Sequence, residues 1–346
     1  MTTLTVAKAV RADRRRRTTR TAVVTGGLAL VVFALFVVTM MVGSFQLSAA
    51  EVLGSLLGTI DDPSLDFVVL GLRLPTAATG LAVGLALGAS GTIFQHLLRN
   101  PLASPDFVGM SSGASLAAVS GIVFFQVGGL VVAGLALGGA VVAALLMYLL
   151  AWKDGVSGYR FILIGIGVAA FFDGLIGFVL TRAQLFEARQ AMHWLTGSVG
   201  QANPTELRLL LGSLVVLLPV AMMLQRQLRM LELGDDAARG LGVSAELSRA
   251  GLLATSVVLL ALAVAAAGPI VFVALVAGPI ANRLLGPATG GIAPAALVGA
   301  AVLLTSDLVA VHLLPAPLPT GVVTGAVGAP YLLWLLATTN RQGTGG

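Results

Sequence analysis

The chain has no cysteine among its 346 residues. Disulfides, thiol nucleophiles and cysteine-based metal sites are therefore excluded. Charge is scarce as well, at 10% of residues, where soluble domains carry about 25%. Lysine occurs only at Lys8 and Lys153. Neither follows the glycine spacing of a phosphate-binding loop, so nucleotide hydrolysis by that route is excluded. The histidines, His96, His193 and His312, do not form the H-E-x-x-H pair of a zinc helix.

What remains is apolar: 57% hydrophobic residues and 43 glycines. A soluble fold of this size cannot hide so much apolar surface, because part of every element must face water. The content suits nine or ten spans of about 20 residues each. This predicts an all-α polytopic membrane protein embedded in a lipid bilayer. It rules out a soluble enzyme, a nucleic-acid binder and a disordered chain.

Ten apolar segments lie between charged or Pro/Gly punctuation, at 21–43, 68–97, 111–127, 129–151, 161–181, 207–225, 250–267, 270–281, 291–312 and 320–337. Lys8, Arg11, Arg14, Arg15, Arg16, Arg17 and Arg20 precede the first. The positive-inside rule holds such a cluster in the cytoplasm, and the run behind it is too long for a signal-peptide core. Ten spans then bring the C-terminus back inside. Sixteen of the 20 basic residues fall on the cytoplasmic side, leaving Arg73, Arg182, Arg189 and Arg208 outside. The expected organisation is a basic cytoplasmic tail over 1–20, a transmembrane domain over 21–338 and a second tail over 339–346.

Two places interrupt the helical pattern. Gly268-Pro269 and Gly278-Pro279 bracket eight residues, about 12 Å of helix, which predicts a short or broken helix. Leu98–Gly113 contains Pro101 and Pro105 among polar groups, with Asn100 before the first. Unwound backbone at membrane depth is tolerated inside protein or beside a water-filled cavity, and such breaks line transporter pathways. An ordinary interhelical turn accounts equally for the second. Gly80, Gly84 and Gly88 share one helix face and read as a close-packing seam, as do Gly134 and Gly138.

Three polar features inside apolar runs bear on function. Gly88-Ala89-Ser90-Gly91 fits the G-x-S-G of intramembrane serine proteases, a weak signal in so glycine-rich a chain. Asp173 and Asp307 are carboxylates within spans, which are costly and mark either pathways or buried hydrogen-bonded ties. Asp173 favours a structural tie. Asp307 leaves both readings open, and with them a proton-coupled carrier.

The most informative polar segment is 230–249, MLELGDDAARGLGVSAELSR. Asp235 suits an N-cap, Asp236 the positive helix N-terminus, and Gly242 a left-handed C′ position. A helix of about two turns is expected there, either as a solvated loop or as a docking element. Ala237, Ala238 and Gly242 provide the small residues that entry into a groove requires, and Arg239 the basic side chain for a partner carboxylate.

The run LRLPTAATGLAVGLALGASGTIFQHLLRNPLASPDFVGMSSGASLAAV at 72–119 resembles the signature of the FecCD-type permeases, the membrane subunits of bacterial type II ABC importers for ferric siderophores, cobalamin and haem. The resemblance continues through LGDDAARGLGV (233–243), AAAGPIVFVALVAGPIANRLLG (265–286), SDLVA (306–310) and LPTGVVTGAVGAPYLLWLL (318–336). It implies a ten-helix permease paired with a second permease subunit, identical or not. It further implies two cytoplasmic ATP-binding subunits and an extracytoplasmic siderophore-binding protein. ATP would be used by those partners, with no cofactor or metal held by this chain. Gly234 to Arg239 and Gly242 would belong to a coupling helix that enters a groove on the ATPase. Asn100-Pro101 would mark the bend after the second helix, and Gly268-Pro269 to Gly278-Pro279 the short eighth helix. The chain departs from the family pattern at Thr76, at Gly278-Pro279 with Asn282, at Val311 and at Pro317. These departures weaken residue-level transfer to Asp307 and to the outer docking surface. The expected function is import of a ferric siderophore, with cobalamin or haem as the alternative cargo.

Overall fold

A computed structural model describes residues 3–43, 45–152, 158–201, 203–286 and 291–340. Lys153, Arg341 and the end of the expected C-terminal tail lie outside them. The chain opens with α1 (Thr3–Met41), followed by short helices α2 (Ala49–Leu57) and α3 (Pro63–Asp66). A π-helical stretch, Phe67–Arg73, leads into α4 (Leu74–Leu97). Then come α5 (Met110–Phe125), α6 (Leu130–Ala151), α7 (Gly158–Arg182) and α8 (Leu185–Thr196). The remainder is α9 (Pro204–Glu232), α10 (Asp235–Gly240), α11 (Ala245–Ala267), α12 (Val273–Leu285), α13 (Ile292–Leu308) with a π-helical end at Val309–Leu313, and α14 (Thr320–Asn340).

Seven of these segments are long and apolar enough to cross a membrane, and three shorter apolar helices, within α5, α12 and α14, accompany them. Together they coincide with the ten apolar segments of the sequence. Residues 3–20, expected as a tail, continue α1 without a break. Helices α2, α3 and α8 give no signal as apolar runs, being too short or too polar to register as spans. Local chemistry starts the first two: Ser48 and Glu51 form a reciprocal capping box for α2, and Asp62 accepts from Ser64 N and Leu65 N at α3. The same logic starts α9, where Asn203 and Glu206 form a capping box ahead of Pro204.

Helix α4 is the central post, packed against α9, α11, α12 and α13. Its glycine face is a seam, as expected. A Cβ on Gly84 would lie 2.5 Å from Ala300 Cα, and one on Gly88 would strike the Ala295 carbonyl. On the α11 side, Ser90 and Ser256 clasp each other. Ser90 Oγ donates to Ser256 O at 2.7 Å, and Ser256 Oγ to Ser90 O at 3.0 Å. Ser90 is fully buried in this clasp, which removes it as a nucleophile. Gly134 and Gly138 break the expectation: no atom of the chain lies within 4 Å of a Cβ on either. They sit on an outward face of α6, so the chain itself supplies no seam there.

The expected break at Gly278-Pro279 is absent, because both residues lie inside α12. Proline at 279 cannot donate to Leu275 O. Gln95 Nε2, reaching across from α4, donates to that carbonyl at 2.8 Å. Gly278 makes room for it, since a Cβ there would strike the Gln95 side chain and lie 2.6 Å from Thr92 Oγ1. Neighbouring side chains commonly satisfy the groups that proline frees in membrane helices. The other break is real. Helix α11 stops at Ala267, Gly268 takes φ +71, and the chain re-enters a helix only at Val273, after Phe272 at φ +70.

Candidate functional site

The end of the bundle that carries α10 gathers most of the chain's charge. Helix α10 is six residues long, close to the expected two turns, and its N-cap is Gly234 at φ +108, a backbone conformation that favours glycine. Asp235 is therefore not the cap but the first helical residue. Its carboxylate is taken by Arg249 of α11, at 2.8 and 3.0 Å from one guanidinium nitrogen. The C-terminal end follows the sequence reading: Gly242 has φ +82, Val243 N donates to Ala238 O and Gly242 N to Arg239 O, both at 2.9 Å. This is the paired closure of a Schellman motif.

Ala238 corrects the groove expectation. It is fully buried within the chain's own core, so it cannot contact a partner. Ala237, Arg239 and Gly242 are exposed or half-buried on the outer side of the segment, as is Asp236. Arg239 reaches Asp236 at 3.4 Å across an exposed helix turn, a pair worth about 0–1 kcal/mol. Around them stand three apolar side chains that sequence reading did not single out: Leu233, 67% exposed, Leu241, 58%, and Leu247, 75%. Each sits between polar residues or glycines in sequence, so hydropathy alone gave no signal.

This end is tied rigidly to the core. Arg99, at φ +51 beyond the end of α4, donates from Nη2 to Leu231 O at 2.6 Å. His96 Nδ1 meets the Glu232 carboxylate beside it. Leu231, Arg99, Asp235 and Arg249 line a cavity of about 240 Å³. Asp235–Arg249 thus ties α10 to α11, while the end of α9 is held to α4.

The connection from α4 to α5 is exposed at Arg99 and Pro101 and buried from Ala103 to Asp106. Asn100 Oδ1 accepts from Leu102 N at 2.9 Å, and Ala103 N donates to Asn100 O at 3.0 Å, an Asx turn that closes around Pro101. Beyond it, Asp106 accepts hydrogen bonds from Ser111 at 2.9 Å and Ser104 at 3.4 Å. Burial nevertheless pushes its carboxyl up to about 6. Phe107 sets its ring against Phe272 edge to face, with centroids 5.4 Å apart. The turn therefore touches the break between α11 and α12. Gly328 of α14 presses on Phe272 from another side.

Asp307 stands elsewhere, near the N-terminal end of α4, about 36 Å along that helix from the Asn100 turn. Thr320 Oγ1 donates to its Oδ1 at 2.8 Å, which ties α13 to the start of α14. It borders a cavity of about 320 Å³ with Arg73, Thr76, Val311 and His312. Arg73 Nη1 donates to Met40 O and Met41 O at 2.8 and 2.9 Å, closing the end of α1. Asp173 is exposed on α7 and forms no hydrogen bond or ion pair among the described residues, so it does not tie two helices. The path candidates thus fall at the two ends of the bundle, with Thr320 and Gly321 joining Asp307 to the Gly197–Val199 turn that packs on Pro269. Asn100-Pro101 lies near the α10 end, Gly268-Pro269 beside α8, and Asp307 by Arg73, while Gly278-Pro279 is ordinary helix interior. Among the described residues no cluster of three or more His, Asp or Glu side chains could hold a metal.

Comparison with known proteins gives one consistent answer. Residues 29–338 match the FecCD transport family. The ferric enterobactin transport system permease protein FepG of Escherichia coli (strain K12) is 42% identical over 87% of this chain and 91% of its own. The achromobactin transport system permease protein CbrC of Dickeya dadantii (strain 3937) is 41% identical over 89% of each chain, and the hemin transport system permease protein HmuU of Yersinia pestis 34% identical over 90% and 96%. A solved metal-chelate type ABC transporter in an inward-facing conformation superimposes with a TM-score of 0.79, covering 91% of this chain and 98% of that one at 25% identity. With ten apolar helices among the described residues, the buried glycine seam of α4 and the polar α10 end, this chain is a multi-pass membrane protein that belongs to the FecCD transport family.

Proposed function

We propose that the chain is the permease subunit of an ATP-driven importer that carries a ferric siderophore across the cell membrane. The observation that carries the reading is the match over nearly the whole chain to permeases of iron-chelate systems, with those for siderophores more similar than the one for hemin. The sequence contains no phosphate-binding loop of its own, so the work must arrive from ATP-binding subunits through a protein contact.

The α10 end is the place where that contact is made. Leu233, Leu241 and Leu247 supply exposed apolar surface, and Asp236, Ala237, Arg239 and Gly242 frame it. Asp235 and Arg249 pass its displacement to α11. Arginines 14–17, 20, 99, 239, 249 and 283 cluster toward the same end, which supports a cytoplasmic position by the positive-inside rule and with it a cytoplasmic N-terminus. The opposite end carries α8, about 43 Å away along α9. Its exposed Leu185, Phe186 and Met192 suit an extracytoplasmic binding protein. Asp173 lies on α7, where Gly167, Gly174 and Gly177 have no neighbour in the chain. A carboxylate is costly against lipid, so this face suits a second permease subunit with water between them.

The test is uptake of a ferric siderophore into proteoliposomes holding the assembled importer. Transport should require ATP and the ATP-binding subunits, and should persist when the proton gradient is collapsed. Uptake driven by a proton gradient without ATP would overturn the reading.

A further inference from the structure

The cationic stretch of α1 is part of one continuous helix with the span behind it. Of the helix Thr3–Met41, the uncharged part from Thr21 to Met41 rises about 30 Å, the thickness of the hydrocarbon core. The hydrocarbon part begins near Thr21. Arg15, Arg16 and Arg20 therefore sit within about 10 Å of it, at headgroup depth. The one acid nearby, Asp13, is taken by Arg17 at 2.8 Å.

These arginines share a helix face with residues deeper in the span. Ala12, Arg15, Arg16, Thr19, Arg20 and Val23 lie together on one open face of α1. Continued at helical spacing, the same face passes Gly26, Gly27 and Leu30. A Cβ on either glycine would meet nothing within 4 Å, so they serve no packing inside the chain. Val23 and Leu30 stand out on each side of them, 67% and 68% exposed. The face is thus cationic at headgroup depth and notched at acyl-chain depth. Arg20 Nη2 also donates to Leu284 O at 3.1 Å, which places this face beside the end of α12.

We propose that this face of α1 holds one anionic phospholipid. Its phosphate lies against Arg15, Arg16 and Arg20, and an acyl chain runs over Gly26 and Gly27 between Val23 and Leu30. Charge complementarity selects the headgroup, and the notch distinguishes a seated lipid from diffuse attraction to a charged surface.

The probe is phosphatidylglycerol, with phosphatidylcholine of the same chains as reference, titrated onto the purified full-length protein in neutral detergent and read by native mass spectrometry. The wild type should prefer phosphatidylglycerol by roughly tenfold or more, as several arginines near one anionic headgroup imply. Arg15→Gln with Arg16→Gln should remove that preference while leaving Arg20 on Leu284. Gly27→Leu keeps every charge and should still weaken long-chain phosphatidylglycerol several-fold. An unchanged preference in the double variant overturns the proposal, and so does an unaffected Gly27→Leu. Equal competition by soluble glycerol phosphate would make the site one for free phosphate and would equally overturn it. Loss of ATP-binding-subunit copurification in the double variant, with lipid preference intact, would assign the arginines to a protein partner instead.

Discussion

Gln95 of α4 donates its side-chain amide to Leu275 O of α12, the carbonyl that Pro279 leaves without a helical donor. One side chain thus repairs another helix, and Gly278 leaves the space that lets it in. Gln95→Leu should destabilise the protein by about 1–3 kcal/mol, the cost of an unsatisfied buried carbonyl. In a Pro279→Ala background the backbone N–H returns to Leu275, and the same change should cost under about 1 kcal/mol. Thermal unfolding of the four proteins of this cycle in detergent checks it. Additive losses would mean that the two residues are unconnected.

Neighbouring alanines on α10 should behave in opposite ways. Ala238 is fully enclosed, so Ala238→Trp overpacks the core and should lower stability by about 1–3 kcal/mol or more. Ala237 is exposed, so Ala237→Trp should leave unfolding unchanged and instead reduce copurification of the ATP-binding subunits and siderophore uptake. Normal copurification and uptake with Ala237→Trp would place the docking surface elsewhere.

Asp235→Asn should separate docking from transport. The amide keeps the shape but loses the charge-assisted bonds to Arg249, while the exposed leucines are untouched. ATP-binding subunits should still copurify, and ATP hydrolysis should proceed with several-fold less uptake per ATP. Equal loss of binding and uptake would count against α10 as a lever.

The Asp106 carboxyl, raised by burial to about 6, opposes folding once ionised. Its protonated form is fully compatible with the fold below the unfolded value near 3.8, and stability is lost as pH rises through about 6. Asp106→Asn removes that loss, so it should stabilise the protein by up to about 3 kcal/mol at pH 7.5 and by little at pH 4. Melting temperatures of wild type and variant across this range provide the measurement. A pH-independent difference would show that the carboxyl does not titrate there.

Asp307 is bonded to Thr320, and asparagine can accept the same bond through Oδ1. Asp307→Asn should therefore retain most uptake, whereas Asp307→Leu leaves the Thr320 hydroxyl without its acceptor and should cost about 1–3 kcal/mol of stability. Abolished uptake with normal folding in Asp307→Asn would return weight to a proton-coupled mechanism.

The spans were legible because their signal is summed over about 20 residues each, and the Gly80–Gly84–Gly88 seam because its periodicity is local to one helix. The α10 stop was legible for the same reason, since Gly242 closes a helix within its own neighbourhood. What escaped depended on a distant partner. Gly278-Pro279 reads as a break until Gln95, 180 residues from Leu275 in sequence, is placed against it. Asp235 reads as a cap until Arg249 claims it. Ala238 reads as a small exposed residue because a six-residue helix has too little periodicity to say which face is inward. Helix α8 is amphipathic and short, so no apolar run announced it.

The glycine seam also divides the molecule mechanically. Where α4 meets α13 and α12, backbone rests on backbone, at Gly84 with Ala300 and at Gly91 with Ala274. At those two points there are no side chains to repack, so the helices can slide there only by breaking contact. Helices α4, α12 and α13 therefore form a stiff spine that any transport cycle must carry as one piece. On α6 and α7 the situation is reversed: Gly134, Gly138, Gly167, Gly174 and Gly177 meet no other part of this chain. Rearrangement is expensive on the spine, so movement falls to the helices packed around it.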